Sequence, residues 1–107
     1  MKGEALIYRP DGRQPERRDL TTSNPESLLP MLQTLVGGDI EAVPMWVSLP
    51  DGRACVAFCN EEGKLDELPF NPLATAAWYR AARQPMGDEL VGTVVVVFGD
   101  EEFMEAL

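Results

Sequence analysis

The sequence predicts one α+β domain spanning residues 1–107. A sheet of about five strands, mixed or mainly antiparallel, carries two main helices and a short C-terminal helix in the order β-β-α-β-β-α-β-α. Three observations lead there. Asn24-Pro25 and Asn71-Pro72 each place a capping side chain before a proline, and each is followed by apolar residues at helical spacing. Pro10-Asp11-Gly12-Arg13 and Pro50-Asp51-Gly52-Arg53 are turn sequences set between β-type runs. Leu90 to Phe98 is a nearly unbroken β-branched run, the composition of a central strand or one covered on both faces. A chain of this length buries roughly 65% of its unfolded surface, enough for one core without disulfides or metals.

Ala5-Leu6-Ile7-Tyr8 is a short apolar strand, and Gln14 to Leu20 returns after the first turn as a polar edge strand. Arg13, Arg17 and Arg18 either lie along that solvated edge, where charge discourages strand addition, or form an anion or partner patch. The first helix is expected from about Pro25 to Val36, with Leu28, Leu32, Leu35 and Val36 on its buried stripe. Gly37 or Gly38 closes it in the left-handed conformation. Ile40 to Leu49 and Ala54 to Cys59 then form a hairpin about Asp51-Gly52, with Pro44 marking a bulge, an edge or a break. Trp46 serves as a core or rim residue, or as an exposed binding anchor. The second helix runs from Asn71-Pro72 to Arg83, with Leu73, Ala77, Trp78 and Ala81 on one face and Arg80 and Arg83 suiting the dipole at its C-terminal end. Gly92 marks a bulge or a close backbone approach. Phe103, Met104 and Leu107 make a short amphipathic segment that docks on its own domain or on another molecule. The hairpins favour antiparallel pairing, with the helices mainly on one side of the sheet.

Eighteen acidic against nine basic side chains give a net charge of −9. Residues 1–20 carry +1 and the remainder −10, with no basic residue after Arg83. Such a chain repels phosphate, so direct nucleic-acid binding is disfavoured. No run of residues approaches the ~18 apolar residues of a membrane span. Cys55 and Cys59 lie four apart in a strand, about 13 Å between α-carbons at roughly 3.3 Å per residue, too far to bond. Two reduced thiols and no signal-like N-terminus point to the cytoplasm.

Histidine is absent. That removes the commonest general base, the usual zinc ligand and every histidine-paired nucleophile, so no catalytic residues, metal site or cofactor are expected. The carboxylates of Glu61, Glu62, Asp66 and Glu67 do not match a calcium loop and read as a solvated turn. The Gly37-Gly38 pair leaves a helix C-terminus, the wrong end for a phosphate loop.

Three blocks of sequence carry a resemblance: Leu35-Val36-Gly37-Gly38-x-Ile40-Glu41-x-Val43-Pro44, Cys59-Asn60-Glu61-Glu62-Gly63-Lys64-Leu65-x-x-Leu68-Pro69-x-Asn71, and Gly92-Thr93-Val94-Val95-Val96-Val97-Phe98-Gly99. In order and spacing the chain resembles the bacterial and phage family called domain of unknown function 3846, departing from its simplest pattern between Pro44 and Pro50. The resemblance implies a small bacterial, phage or plasmid protein and transfers no activity or catalytic residue.

Two functions are therefore expected. The first is a non-enzymatic accessory protein that binds another protein, in its sharper form a counter-defence protein or nucleic-acid mimic, through Glu61, Glu62, Asp66, Glu67, Asp100, Glu101 and Glu102. The alternative is a small-molecule or nucleotide-binding module using Trp46, Trp78, Tyr79, Arg80 and Arg83, because an aromatic wall with guanidinium groups holds a planar anion. A homodimer through an edge strand or the C-terminal segment stays open.

Overall fold

In a computed structural model describing residues 1–107, the elements follow the expected order. They are β1 (Gly3–Tyr8), β2 (Glu16–Asp19), α1 (Leu28–Val36), β3 (Ile40–Ala42), β4 (Val56–Asn60), α2 (Pro72–Ala82), β5 (Val94–Gly99) and α3 (Glu101–Glu105). A single 3₁₀ turn, Pro25–Ser27, precedes α1. The five strands form one sheet in the order β2-β1-β5-β4-β3, and every pair is antiparallel.

The β-branched run becomes the middle strand. β5 is paired on both edges, Leu6 opposite Val96 on one side and Ala57 opposite Val96 on the other. Its side chains alternate between two cores: Val94, Val96 and Phe98 face α2, while Val95 and Val97 face α1 and α3. The helices thus cover both faces of the sheet rather than mainly one. The reason lies in the connections, since β4 reaches β5 through α2 on one face while α1 and α3 close the other.

Two boundaries differ from expectation. The strand expected over 40–49 stops at Ala42, because Pro44 cannot donate to a ladder and Met45 takes a left-handed φ of 65°. The hairpin turn survives beyond the break: Ser48 bridges Ala54, and the Leu49 amide donates to the Arg53 carbonyl at 2.9 Å. The last strand starts at Val94 instead of Leu90, because Gly92 turns the chain at φ 69°. Leu68 fills the space a side chain there would need, its Cδ1 only 2.7 Å from where a Cβ would sit.

Local signals in the two main helices are realised. The Asn71 side chain caps α2 by accepting from the Ala74 amide at 3.1 Å. Gly37 ends α1 at φ 79°, with the amides of Gly37 and Gly38 both donating to the Gln33 carbonyl. On α2 the buried stripe is Ala74, Thr75 and Trp78, with Leu73, Ala77 and Ala81 only partly covered. The C-terminal segment docks on its own domain. Phe103 is fully buried, and its ring lies against Gly3 and Gly99, where a Cβ would come within 2.1 Å and 2.7 Å of it.

Candidate functional site

On the α2 face of the sheet, α2 and the segment 43–50 cover β4 and β5 but not all of β1, which leaves Leu6 and Tyr8 half-buried. The result is a cleft of about 300 Å³. Its floor is Leu6, Tyr8 and Val96. One wall is the C-terminal half of α2, where the small side chains of Ala77 and Ala81 leave room and Arg80 and Arg83 stand beside them. The opposite wall is Trp46, Ser48, Leu49 and Pro50, held by the tight turn at Asp51-Gly52.

The left-handed turn at Met45 explains how Trp46 reaches this wall. It reverses the chain after Pro44 and drives the indole inward until only 4% of the residue is exposed. Its ring tilts against Tyr8 at 57°, with centroids 5.9 Å apart. Cys55 Sγ lies 3.9 Å from the Trp46 carbonyl and anchors the segment from below.

The charge pattern sets the cleft apart. Of the nine basic side chains, Arg9, Arg13, Arg17, Arg18, Arg53 and Lys64 each face a carboxylate within 4 Å, whereas Arg80 and Arg83 at the cleft, and Lys2 away from it, form no ion pair. No carboxylate lines the cleft, although eighteen of the 107 residues are acidic. Burial pushes the Tyr8 phenol above its ordinary range, and the charge of Arg80 partly offsets that rise. At neutral pH Tyr8 is therefore a neutral hydroxyl beside a free guanidinium. The backbone at Arg83 is also unusual. The residue that closes α2 sits at φ 59°, a conformation that favours glycine.

Of the five aromatic and arginine residues expected to bind a ligand, the fold brings Trp46, Arg80 and Arg83 together and sends the other two elsewhere. Trp78 is 2% exposed and its indole Nε1 donates to the Pro44 carbonyl at 2.7 Å, which ties α2 to the break after β3. The Tyr79 hydroxyl donates to the Asp88 carbonyl, on the far side of the helix. Helical geometry gives the reason, because neighbours on α2 point about 100° apart and Ala77, Arg80 and Ala81 share the cleft side, while Arg83 lines it from just past the end of the helix. Tyr8 and Ser48 were missed by sequence reasoning. Tyr8 was legible only as the end of a strand, and its partners Trp46 and Arg80 are remote in the chain.

The sequence profile of the family described as Domain of unknown function (DUF3846) matches residues 1–106, essentially the whole chain. The chain belongs to the DUF3846 family. No curated protein and no solved structure matches it. The blocks that carry the family resemblance hold this DUF3846 fold together and leave the cleft almost untouched, Val96 being the exception. Gly38 packs against Asn60, whose Nδ2 donates to the Val36 carbonyl at 3.3 Å. Asn71, fully buried, donates from Nδ2 to the carbonyls of both Tyr8 and Gly92 at 2.8 Å.

The acidic candidates fall into two groups at opposite ends of the sheet, since β4 and β5 are antiparallel. Glu61, Glu62, Asp66 and Glu67 are exposed on the turn after β4, around a Leu65 that is 83% exposed. Asp100 is occupied internally: it caps α3 through the Phe103 amide at 2.8 Å and accepts from the Lys2 amide at 3.0 Å. Glu101 and Glu102 are exposed in the first turn of α3, with Glu102 3.9 Å from the N-terminal amine. No group of three acidic or cysteine side chains is arranged to hold a metal ion, and no helix is long and apolar enough to cross a membrane. Cys55 and Cys59 are unpaired, and burial pushes both thiols up to about 11.

Proposed function

We propose that this DUF3846 chain is a non-catalytic binding protein whose cleft, between α2 and the segment 46–50, holds a small anionic molecule. The observation that carries this reading is the pair of unpaired arginines at an acid-free cleft in a chain of net charge −9. Two guanidiniums near an anion contribute on the order of 1–4 kcal/mol each at the effective dielectric of a protein surface. The helix C-terminus repels an anion by only about 0.3–1 kcal/mol. The arginines therefore decide the sign. We further assign the protein to the bacterial cytoplasm, a setting suited to two unpaired, weakly acidic thiols.

Thermal-shift measurement against a panel of small organic anions tests the reading. At least one anion should raise Tm for the wild type at low salt and not for an Arg80→Gln/Arg83→Gln variant. If no anion stabilises the wild type, or the variant responds equally, the reading is wrong.

A second reading rests on Leu65, which stands almost fully exposed among Glu61, Glu62, Asp66 and Glu67. An exposed apolar side chain on an acid-rich turn fits a basic protein partner with a shallow apolar dimple. Affinity capture from a bacterial lysate with the wild type and Leu65→Ser distinguishes it. A partner lost on the substitution, and lost between roughly 50 and 200 mM salt, would support protein binding.

A further inference from the structure

We infer that the cleft takes an uncharged aromatic or aliphatic body bearing one anionic group, a carboxylate or a phosphate monoester, and rejects the same body when it carries a positive charge. The inference rests on the cleft being the binding site and names what that site selects. The arginines stand on one wall only, Arg80 in the last turn of α2 and Arg83 at the left-handed residue that closes it. An anionic group held there leaves the remainder of the ligand over Leu6, Ala77, Ala81 and Val96, a surface without charge. Tyr8 and Ser48 supply the neutral hydroxyls.

An ammonium has no counterpart in this arrangement. Every carboxylate lies outside the lining, so a cation brought into the cleft meets two like charges, Arg80 and Arg83, and no opposite one. An amino acid or an amine should therefore bind worse than the corresponding simple acid, even though the protein as a whole is strongly negative. The local field of the two guanidiniums opposes the global charge, and within a few ångströms the local field dominates because distant surface charges are screened. The small volume, about 300 Å³, limits the body to one ring or a short chain.

Isothermal titration calorimetry at low salt with five probes tests the inference: phenyl phosphate, phenylacetate, L-phenylalanine, benzylamine and inorganic phosphate. Phenyl phosphate or phenylacetate is expected to bind at least tenfold more tightly than L-phenylalanine, benzylamine and inorganic phosphate. Ala81→Leu, which fills the cleft, should weaken the preferred probe at least tenfold while circular dichroism and Tm remain those of a folded protein. Should Ala81→Leu not fold, Arg80→Gln must weaken the same probe at least tenfold. If L-phenylalanine or benzylamine binds within tenfold of the anions, the charge selectivity is wrong while the cleft remains the site. If inorganic phosphate matches phenyl phosphate, the apolar body plays no part and the inference fails. If no probe binds, both the inference and the proposed function fall.

Discussion

Asn71 and Arg83, at the two ends of α2, illustrate opposite uses of a residue. Asn71 is a fold residue: its side chain caps the helix and satisfies two backbone carbonyls in the core, and its own carbonyl accepts from the Thr75 hydroxyl at 2.8 Å. Asn71→Ala removes a cap worth about 1 kcal/mol and strands two buried acceptors, so a loss of about 2–4 kcal/mol is expected. Urea unfolding should show it as a lowered midpoint; a change under about 1 kcal/mol would contradict the role. Arg83 is held at a positive φ, which costs a non-glycine residue about 1–2 kcal/mol, more than the 0.3–1 kcal/mol an exposed cation gains at a helix C-terminus. Arg83→Gly is therefore expected to stabilise the fold by about 0.5–1 kcal/mol and to weaken anion binding, a trade typical of residues retained for function. Stability that falls on this substitution would show that Arg83 serves the fold. The cap at Asn71 was legible from the Asn-Pro pair alone. Its bonds to Tyr8 and Gly92 were not, because they span 63 and 21 residues and depend on how the sheet closes.

At the scale of elements, local chemistry fixed where segments begin and end wherever a cap, a glycine or a proline was decisive, as at Asn71, Gly37 and Pro44. The misjudged features concern what packs on what. Alternation runs on through 45–49, so the sequence extends the strand past Pro44, whereas Pro44 and the left-handed Met45 together end it and turn Trp46 into the core. The assignment of helices to one face failed because strand connectivity, rather than periodicity, decides the side. α3 has only five residues, and its one buried side chain is Phe103, whose ring lies over Gly3 and Gly99. Gly3→Ala puts a methyl into that ring, so overpacking of about 1–3 kcal/mol is expected. Amide exchange should then quicken first in α3 and the adjoining end of β1. Uniform protection in those segments would show that this contact is not the constraint described. The edge strands, a fully charged β2 and a three-residue β3, are both poor templates for strand addition.

Across the whole molecule, charge and burial set the pH range of stability. Glu16 is held below the ordinary carboxylate range by the Arg9 guanidinium, Asp88 by the Lys64 ammonium, and Asp51 and Asp100 by the backbone amides of Arg53 and Lys2. Their contributions are present above an unfolded value near 4 and are lost as pH falls through the lower folded values. The two thiols act in the other direction. Raised by burial from 9.0 to about 11, they favour the folded state fully below pH 9 and lose that contribution as pH rises from 9 to about 11. Chemical unfolding across pH should show a plateau from about 5 to 9 with a decline on both sides; stability that rises between pH 9 and 11 would contradict the burial of the thiols. The strong negative charge and the slightly basic first twenty residues are legible from the sequence, but the pair of unpaired arginines at the cleft is not. Composition counts charges, and only the fold reveals that Arg80 and Arg83 lack carboxylate partners. That unpartnered pair is the central claim, and the two indole N–H resonances test it most directly. In a ¹H–¹⁵N titration with phenyl phosphate, the Trp46 indole signal should shift progressively, while the Trp78 signal, locked to the Pro44 carbonyl, stays in place. Both signals moving equally, or neither moving at saturating ligand, would contradict the assignment of the cleft as the binding site.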